Sequence, residues 1–154
     1  TFKSAFKSRR CLIPVTGYYE WATELGLYKP KQPFLISNKD KKTLAIAGIY
    51  EFWQNPEVNL PVTTAAIITR QAFGILTPIH HRMPVILPKS LWSTWLSNKS
   101  LSPQEVSDYL KMIDLKEADA GLTFWPVSDL VNNARNTGPQ LAAQIELPPT
   151  ETLF

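Results

Sequence analysis

The two histidines of the sequence, His80 and His81, stand side by side in the stretch IHHRMPVIL, residues 79–87. An imidazole can give or take a proton near neutral pH, although a lone histidine more often has a structural role. In an extended chain neighbouring side chains point to opposite faces, so at most one of the two is expected to serve a given site. Arg82 would share the face of His80, where its guanidinium could bind a phosphate while the imidazole acts on the adjacent sugar or carbonyl.

A single carboxylate, Glu20, lies in the segment RRCLIPVTGYYEWA, residues 9–22. On a strand it points away from the face that carries Tyr19 and Trp21. Burial among large apolar groups raises the pKa of a carboxyl group, which suits proton transfer near neutral pH. A glutamate that faces water on an edge strand is an equally supported interpretation.

Cys11 is the only cysteine, which excludes an intrachain disulfide and a multi-cysteine zinc site. We interpret it as a small packed residue rather than a nucleophile. Adjacent histidines whose side chains point apart are a weak metal motif, so neither a metal nor a cofactor is predicted. Further along the chain, Asn132 and Asn133 either satisfy irregular backbone or orient a catalytic group.

The first ten residues carry Lys3, Lys7, Arg9 and Arg10 and no acidic residue. Such a cluster is a modest indication of a phosphate-binding edge. A solvated basic end is the alternative, and charge alone favours it.

Runs of aliphatic and aromatic residues predict the strands that must position these groups. Residues 34–38 and 43–53 are separated by the charged turn KDKK, which predicts a hairpin. Further strands are predicted at 62–69, 83–87 and 122–127. Four tryptophans are interpreted as core residues, although an exposed one could stack on a base; they are Trp53, Trp92, Trp95 and Trp125.

Two short helices are predicted between the last strands, at residues 88–98 and 102–113. The second begins with Ser102, a proline at the first helical position and Glu105, the pattern of a capping box. Helices that interrupt mainly antiparallel strands indicate an α+β fold. The tail, residues 132–154, shows little periodicity and is expected to wrap the surface.

The composition is that of a globular protein, with 44% hydrophobic and 19% charged residues among 154. This length predicts a single domain over residues 1–154. No apolar run approaches the roughly 20 residues of a membrane span. We therefore expect a soluble cytoplasmic protein, and a monomer, with no membrane partner.

Three blocks, in this order, resemble motifs of the SOS-response-associated peptidase (SRAP) family, whose members shield abasic sites in single-stranded DNA. RRCLIPVTGYYEW resembles Arg-Cys-Leu-(Ile/Val)-Pro-Ala-(Asp/Glu)-Gly-(Phe/Tyr)-Tyr-Glu-Trp, and IHHRMPVIL resembles His-x-Arg-Met-Pro. VSDLVNNARNTGPQL resembles a closing Val-Asn block. Together they extend over essentially the whole chain and imply the family's fold, α+β with mainly antiparallel, barrel-like sheets and a few short helices.

The resemblance implies that Glu20 and His80 are catalytic, that Arg82 contacts DNA phosphate and that Thr69 lines the site. Lys3, from the basic end, completes the DNA-binding candidates. In the family an N-terminal cysteine captures the aldehyde of an abasic sugar through its amine and thiol, which gives a thiazolidine. The histidine would assist ring opening and the glutamate would move protons. The peptidase label is explained by processing of the protein's own N-terminus.

This sequence begins with Thr1 and matches a point inside the family's domain, so the N-terminal cysteine and an Asn-Ala-Arg block are missing from it. Cys11 has no free α-amine and cannot replace that cysteine. We therefore expect a C-terminal portion of such an enzyme. Two alternatives remain: a non-catalytic module that binds single-stranded DNA, and a peptidase acting in trans, which is least favoured because a nucleophile and a metal site are lacking.

Overall fold

A computed structural model describes residues 3–23, 28–57, 59–97, 99–111 and 121–147 of the chain. Its strands are β1 (Arg10–Val15), β2 (Gly17–Trp21), β3 (Pro33–Asn38), β4 (Leu44–Asn55), β5 (Leu60–Ile67), β6 (Thr69–Gln71), β7 (Arg82–Pro84) and β8 (Leu122–Pro126). Its α-helices are α1 (Lys3–Ser8), α2 (Trp92–Trp95) and α3 (Pro103–Lys111). Short 3-10 turns cover Gly74–Leu76, Lys89–Leu91, Asp129–Asn132 and Pro139–Ala142.

The strands form three sheets, in the orders β1-β4-β5, β2-β3-β8 and β6-β7. The pairings of both three-stranded sheets are antiparallel. The predicted α+β class, with mainly antiparallel sheets and a few short helices, is therefore confirmed. The three sheets are separate within the described ranges, so none of them closes into a barrel there.

The chain divides into two compact units, each assembled from segments that are distant in sequence. One unit contains residues 1–15, 44–70 and 84–120, and the other contains residues 16–43, 71–83 and 121–154. Nothing in this division tests the predicted single domain, which stays a prediction.

The first unit is built around β4, the central strand of its sheet. Residues 44–49 of β4 are all buried. β1 pairs with this half of the strand along one edge, and residues 85–87 hydrogen-bond to it along the other. A cluster of Ala47, Val85, Leu87 and Trp95 forms a core, and Phe6 packs against it. Apolar residues recur along β4 without alternation, as expected for a strand that is buried on both faces.

The second unit contains the sheet β2-β3-β8, with β3 at its centre. Phe34 and Ile36 of β3 are fully buried, whereas Leu35 between them is half-buried and faces the other side. Cross-strand neighbours share a face, so Tyr18 and Glu20 of β2, which lie opposite Ile36 and Phe34, belong to the buried face. The apolar centre of β3 therefore determines which side chains of β2 are directed inward.

The hairpin predicted for residues 34–38 and 43–53 is wrong. Both segments are strands, but β3 pairs with β2 and β8, whereas β4 pairs with β1 and β5. Each is the buried central strand of its own sheet and already has two partners. The charged turn between them, with Lys41 in the left-handed conformation (φ 57°), carries the chain from one sheet to the other.

The other predicted elements are found with shifted ends. β5 and β8 correspond to the segments 62–69 and 122–127, and β7 is shorter than the predicted 83–87. The capping box is confirmed, since the Glu105 N–H donates to Ser102 Oγ (3.2 Å) and the Ser102 N–H donates to Glu105 Oε2 (2.7 Å). Residues 112 and 113 of that helix prediction, and 148–154 of the tail, lie outside the described residues.

Three of the four tryptophans interpreted as core residues contribute to packing, and one does not. Trp95 is fully buried, and Trp92 and Trp125 are half-buried. Trp53 is 51% exposed, near the end of β4, so its assignment to the core is wrong. That end of β4 extends beyond β1, whose pairing stops at Ile49. None of the helices in the described ranges has the length and hydropathy that a membrane-spanning helix requires.

Candidate functional site

Glu20 lies near the end of β2, on the face that carries the buried Phe34 of β3. Its side chain is half-buried, and its Oε1 accepts a hydrogen bond from the N–H of Trp21 (3.1 Å). β2 is an edge strand, as the water-facing interpretation requires, but the glutamate belongs to its apolar side. The carboxylate is therefore both near an apolar surface and partly accessible, an arrangement that suits proton exchange.

His80 is half-buried and lies directly before β7. Its Nδ1 accepts a hydrogen bond from the backbone N–H of Arg82 (2.9 Å) and is 3.1 Å from the Arg82 carbonyl oxygen. In the neutral ring that donor places the proton on Nε2; in the imidazolium Nδ1–H can donate to the carbonyl instead. The backbone of Arg82 can thus partner either protonation state of the ring.

The two histidines do not point to opposite faces, as strand alternation predicted. Their rings are stacked, with centroids 4.3 Å apart and an angle of 25° between the planes. The chain bends at His81 and β7 begins only at Arg82, so the period of a strand does not apply to this pair. Both histidines and Arg82 line one pocket of about 430 Å³, together with Gln71, Ala72 and Thr77.

A backbone contact brings the end of β2 beside the segment that carries His80. The N–H of Thr23 donates to the carbonyl of Ile79 (2.9 Å). Glu20 precedes Thr23 by three residues and His80 follows Ile79 directly, so the two predicted catalytic residues belong to neighbouring segments of the same unit. Their assignment as catalytic residues stays a prediction.

Trp21, which sequence reasoning did not single out, is exposed next to Glu20 and is held by a side chain from elsewhere in the unit. Its indole N–H donates to Asn132 Oδ1 (2.7 Å), and 37% of the residue is exposed. Of the two interpretations of the asparagines, Asn132 fits the orienting one, although it orients an aromatic ring. Asn133 fits the structural one, because its Oδ1 accepts from the N–H of Arg135 (3.0 Å). A turn-rich segment with little periodicity gives no sequence signal for such a long-range bond.

The remaining DNA-binding candidates lie in the other unit. Thr69 is exposed and begins β6. Lys3 begins α1, but its side chain lies outside the described residues. Nothing in the structure tests their predicted roles.

Two of the four residues of the basic end, Arg9 and Arg10, are engaged in internal contacts, and for Arg10 the phosphate-binding interpretation is wrong. Arg10 is only 6% exposed, and its guanidinium donates to the carbonyls of Trp95 (2.8 Å), Lys99 (3.0 Å) and Phe6 (3.2 Å) and to those of Lys7 and Ser97. Arg9 pairs with Glu51. A run of like charges in a sequence does not show which members fold inward.

Cys11 is half-buried in β1, where it lies opposite Gly48 of β4. A Cβ at Gly48 would come within 2.9 Å of Cys11 Sγ, so the thiol fills the space that the glycine leaves. Burial raises the pKa of the thiol, which disfavours the reactive thiolate. These contacts support the interpretation of Cys11 as a packed residue.

Comparison with known proteins relates residues 1–134 to a family model described as "SOS response associated peptidase (SRAP)". The abasic site processing protein YoqW of Bacillus subtilis is 36% identical over 141 residues, which are 92% of this chain and 60% of that protein. The abasic site processing protein HMCES of Pongo abelii is 33% identical over 166 residues, covering 92% of this chain and 45% of HMCES. The chain therefore spans about half of the length of these curated relatives.

The fold is similar to that of a crystal structure of a Bacteroides thetaiotaomicron protein, with a TM-score of 0.75 and 29% sequence identity. The match covers 94% of this chain and 60% of the other. The agreement extends over both units described above.

Proposed function

Because the chain belongs to the SOS response associated peptidase (SRAP) family, we propose that it takes part in the processing of abasic sites in DNA. The substrate would be single-stranded DNA that carries an abasic deoxyribose. The observation that carries the proposal is the arrangement of His80, whose Nδ1 is engaged by the Arg82 backbone at the wall of a pocket shared with the Arg82 side chain.

His80 would act as the general acid that opens the abasic sugar. As the imidazolium, with Nδ1–H directed at the Arg82 carbonyl oxygen, the ring can donate its Nε2 proton to the ring oxygen of the deoxyribose, while water takes the proton of the C1′ hydroxyl and the bond between C1′ and the ring oxygen breaks. Opening the ring exposes the C1′ aldehyde. The resulting imidazole can be reprotonated while the Arg82 backbone keeps the ring in place.

Glu20 would move protons during the steps that follow ring opening. An amine adds to the aldehyde carbon, and loss of water then gives an imine. A half-buried carboxylate on the apolar face of β2 can take a proton from the attacking amine and return it to the departing oxygen. Hydrolysis of the imine reverses these transfers through the same carboxylate.

Covalent capture as a thiazolidine requires an amine and a thiol on the same residue. The thiol adds to the imine carbon and closes the ring, which the resemblance assigns to an N-terminal cysteine. Cys11 is the only cysteine of the 154 residues, and its nitrogen is part of the backbone of β1. This chain would therefore supply the proton transfers and the DNA contacts, and the nucleophile would have to come from outside it.

Arg82 would hold the DNA backbone and Trp21, in the same unit, would stack on a base, whereas Thr69 and Lys3 would be DNA contacts of the other unit. An arginine side chain binds phosphate through two parallel hydrogen bonds, and the Arg82 side chain is exposed at the pocket of His80. An exposed indole that is fixed by a hydrogen bond, as that of Trp21 is, offers a rigid stacking surface. These contacts require single-stranded DNA, whose bases are accessible.

The test incubates the complete gene product and the 154-residue chain with single-stranded oligonucleotides that do or do not contain one abasic site. Denaturing gels then separate covalent adducts from free DNA. We expect an adduct from the complete gene product and the abasic strand, and a rate that falls by about 10²-fold or more in Glu20→Gln or His80→Ala. Glu57→Gln is the matched control for Glu20→Gln and should retain its rate within about threefold, because Glu57 is exposed in the turn after β4 and belongs to the other unit. Equal rates in all variants would contradict the proposal.

The exposed Trp21 also favours a second candidate function, a module that binds single-stranded DNA without chemistry. Such a module would bind intact and abasic strands equally. Its affinity would fall with salt and with Arg82→Ala, yet survive Glu20→Gln and His80→Ala. Fluorescence anisotropy with both oligonucleotides distinguishes the two functions, since only the first predicts a preference for the abasic strand.

A further inference from the structure

Tyr18, which lies two residues before Glu20 on β2, buries a hydroxyl group that makes no hydrogen bond among the described residues. A buried hydroxyl without a partner costs free energy, because it has lost its bonds to water. Most buried polar groups in folded proteins are paired, so an unpaired one calls for an explanation. The proton transfers proposed above do not use this group.

The face of the sheet that carries Tyr18 is mainly apolar, and its other polar side chains on β2 and β3 are Glu20 and Asn38. Cross-strand register places Tyr18 beside Ile36 and Phe124, and Glu20 beside Phe34 and Pro126. The ring of Tyr28 packs on those of Phe34 and Phe124. Glu20 is therefore the acceptor with a full charge that β2, β3 and β8 present on this face.

The phenol of Tyr18 stays protonated over the whole physiological range. Burial raises its pKa above the ordinary value of 10.0, and the negative charge of Glu20 raises it further. The two side chains lie two residues apart on the same face of β2. A neutral phenol in an apolar setting is a strong hydrogen-bond donor, and its natural partner is a carboxylate.

The carboxylate of Glu20 has capacity for a further donor. Oε1 accepts from the N–H of Trp21, while an ionised carboxylate offers about four lone-pair positions on its two oxygens. Residues at i and i+2 of a strand share a face, so a rotation about the side-chain bonds of Glu20 can bring Oε2 toward the phenol.

We propose that Tyr18 is a positioning residue for Glu20, whose hydroxyl donates a hydrogen bond to the carboxylate when the carboxylate turns from the Trp21 N–H toward the substrate. This inference rests on the proposed function, in which Glu20 moves protons. The bond holds the carboxylate in one orientation and prevents it from folding back onto the strand. The hydroxyl is unpaired in the resting fold because its partner is the working position of Glu20.

The experiment compares Tyr18→Phe, which removes only this hydroxyl, with the matched control Tyr19→Phe. Tyr19 is the next residue on the same strand but faces the opposite side, where it lines a separate pocket with Leu35 and Trp125. The first readout is the carboxyl ¹³C resonance of Glu20, measured by NMR on the 154-residue chain with the abasic strand added, the state in which the bond is proposed to form. The second is the melting temperature of each variant.

We expect Tyr18→Phe to move the Glu20 carboxyl resonance while the backbone amide resonances of β2 stay in place. Its melting temperature should rise by about 2–4 °C, because an unpaired buried hydroxyl is lost. Tyr19→Phe should leave the Glu20 resonance unchanged. A Glu20 resonance that responds equally to both substitutions, a fall in the melting temperature of Tyr18→Phe, or amide shifts that spread along β2 would each overturn the proposal.

The effect on chemistry is measured separately, with the complete gene product and the abasic strand. Tyr18→Phe should slow adduct formation by about tenfold at saturating DNA, with unchanged half-saturation, because orientation of the carboxylate affects the reaction step and not binding. An unchanged rate would overturn the positioning role. If wild-type protein forms no adduct, the proposed function fails, whereas the Glu20 resonance still decides whether the hydroxyl reaches the carboxylate.

Discussion

Arg10 and Tyr18 each bury a polar group, one in each unit of this chain, and the two groups differ in their hydrogen bonding. The guanidinium of Arg10 donates to five backbone carbonyls, two of which belong to the last turn of α1. The hydroxyl of Tyr18 has no partner in the part of the chain that the structure describes. One unit thus contains a buried charge with extensive hydrogen bonding, and the other contains a buried neutral group without any.

The difference indicates what each group contributes. Arg10 replaces the intrahelical donors that α1 lacks at its end, and it fastens α1 to the segment after α2. Such a network stabilises the fold, and breaking it would leave the buried charge without its hydrogen bonds. The Tyr18 hydroxyl makes no hydrogen bond within the described residues, so a partner that reaches it at another stage would account for it. Of these two residues, the one with complete hydrogen bonding belongs to the scaffold, and the one with incomplete bonding lies beside the candidate site.

Breaking the Arg10 network should have the largest effect on stability. Arg10→Met keeps the length of the side chain but leaves several partly buried carbonyls without their donor. We expect the free energy of unfolding to fall by about 3–5 kcal/mol, the usual loss when one partner of a buried charged network is removed. Urea unfolding followed by circular dichroism measures it.

Arg9→Met is the control for that prediction. Arg9 precedes Arg10 and pairs with Glu51, a residue that is largely exposed to solvent. Its loss should lower the free energy of unfolding by about 1 kcal/mol or less. If the free energy of unfolding falls equally in both variants, the hydrogen bonds of the Arg10 guanidinium do not hold α1 to the segment after α2.

The contrast between these neighbours marks how far the sequence alone could predict the fold. Strand segments were recognisable from apolar runs, and the capping box at Ser102 and Glu105 was recognisable because its partners are three residues apart. The partners of β3 and of β4 were not recognisable. The charged turn between the two strands predicts a local hairpin, whereas each strand lies between two other strands in a sheet of its own. Arg10 was likewise misassigned, because its acceptors at Trp95, Ser97 and Lys99 are more than 80 positions away.

The Tyr18 hydroxyl should give stability a dependence on alkaline pH. Its pKa in the folded state lies above that of an exposed tyrosine, so the neutral form is favoured by folding. This contribution is complete below the unfolded value of about 10 and is lost as pH rises toward the folded pKa. The melting temperature should therefore fall more steeply above about pH 10 in the wild type than in Tyr18→Phe.

Tyr19→Phe supplies the comparison for this measurement and should follow the wild-type curve. Both variants lose one phenol from the same strand, so general effects of high pH on lysines and on the remaining tyrosines are matched. Parallel curves for all three proteins would show that the phenol of Tyr18 ionises as easily in the folded state as in the unfolded state. That result would place Tyr18 with exposed tyrosines and remove the contrast with Arg10.

The sequence predicted the candidate site only where its residues are close together in the chain. Glu20, His80 and Arg82 stand in short recognisable blocks, and the structure brings the segments of the first two together through Thr23 and Ile79. The stacking of His80 on His81 was not expected, because it depends on a bend that precedes β7. Trp21 and Tyr18 were overlooked since aromatic residues in an apolar run are usually core, and only the fold shows which ring is exposed and which hydroxyl is unpaired.

The hydrogen bond between Trp21 and Asn132 is intermediate between the paired guanidinium of Arg10 and the unpaired hydroxyl of Tyr18. Both of its groups have a partner, but both are accessible to solvent. Asn132→Ala should lower the free energy of unfolding by only about 0.5–1 kcal/mol, since both partners remain accessible to water. Its larger consequence should be a roughly threefold weaker affinity for single-stranded DNA, because a loosely held indole loses orientational freedom when a base stacks on it. Asn133→Ala is the control and should leave DNA affinity unchanged, because the bond from Asn133 to the Arg135 N–H is local to its own turn.

Anisotropy titrations of a labelled oligonucleotide measure the DNA affinity of both variants. If the two variants bind DNA with the same affinity, the bond between Trp21 and Asn132 serves the fold alone. A paired side chain on the surface would then be part of the scaffold, as Arg10 is in the interior.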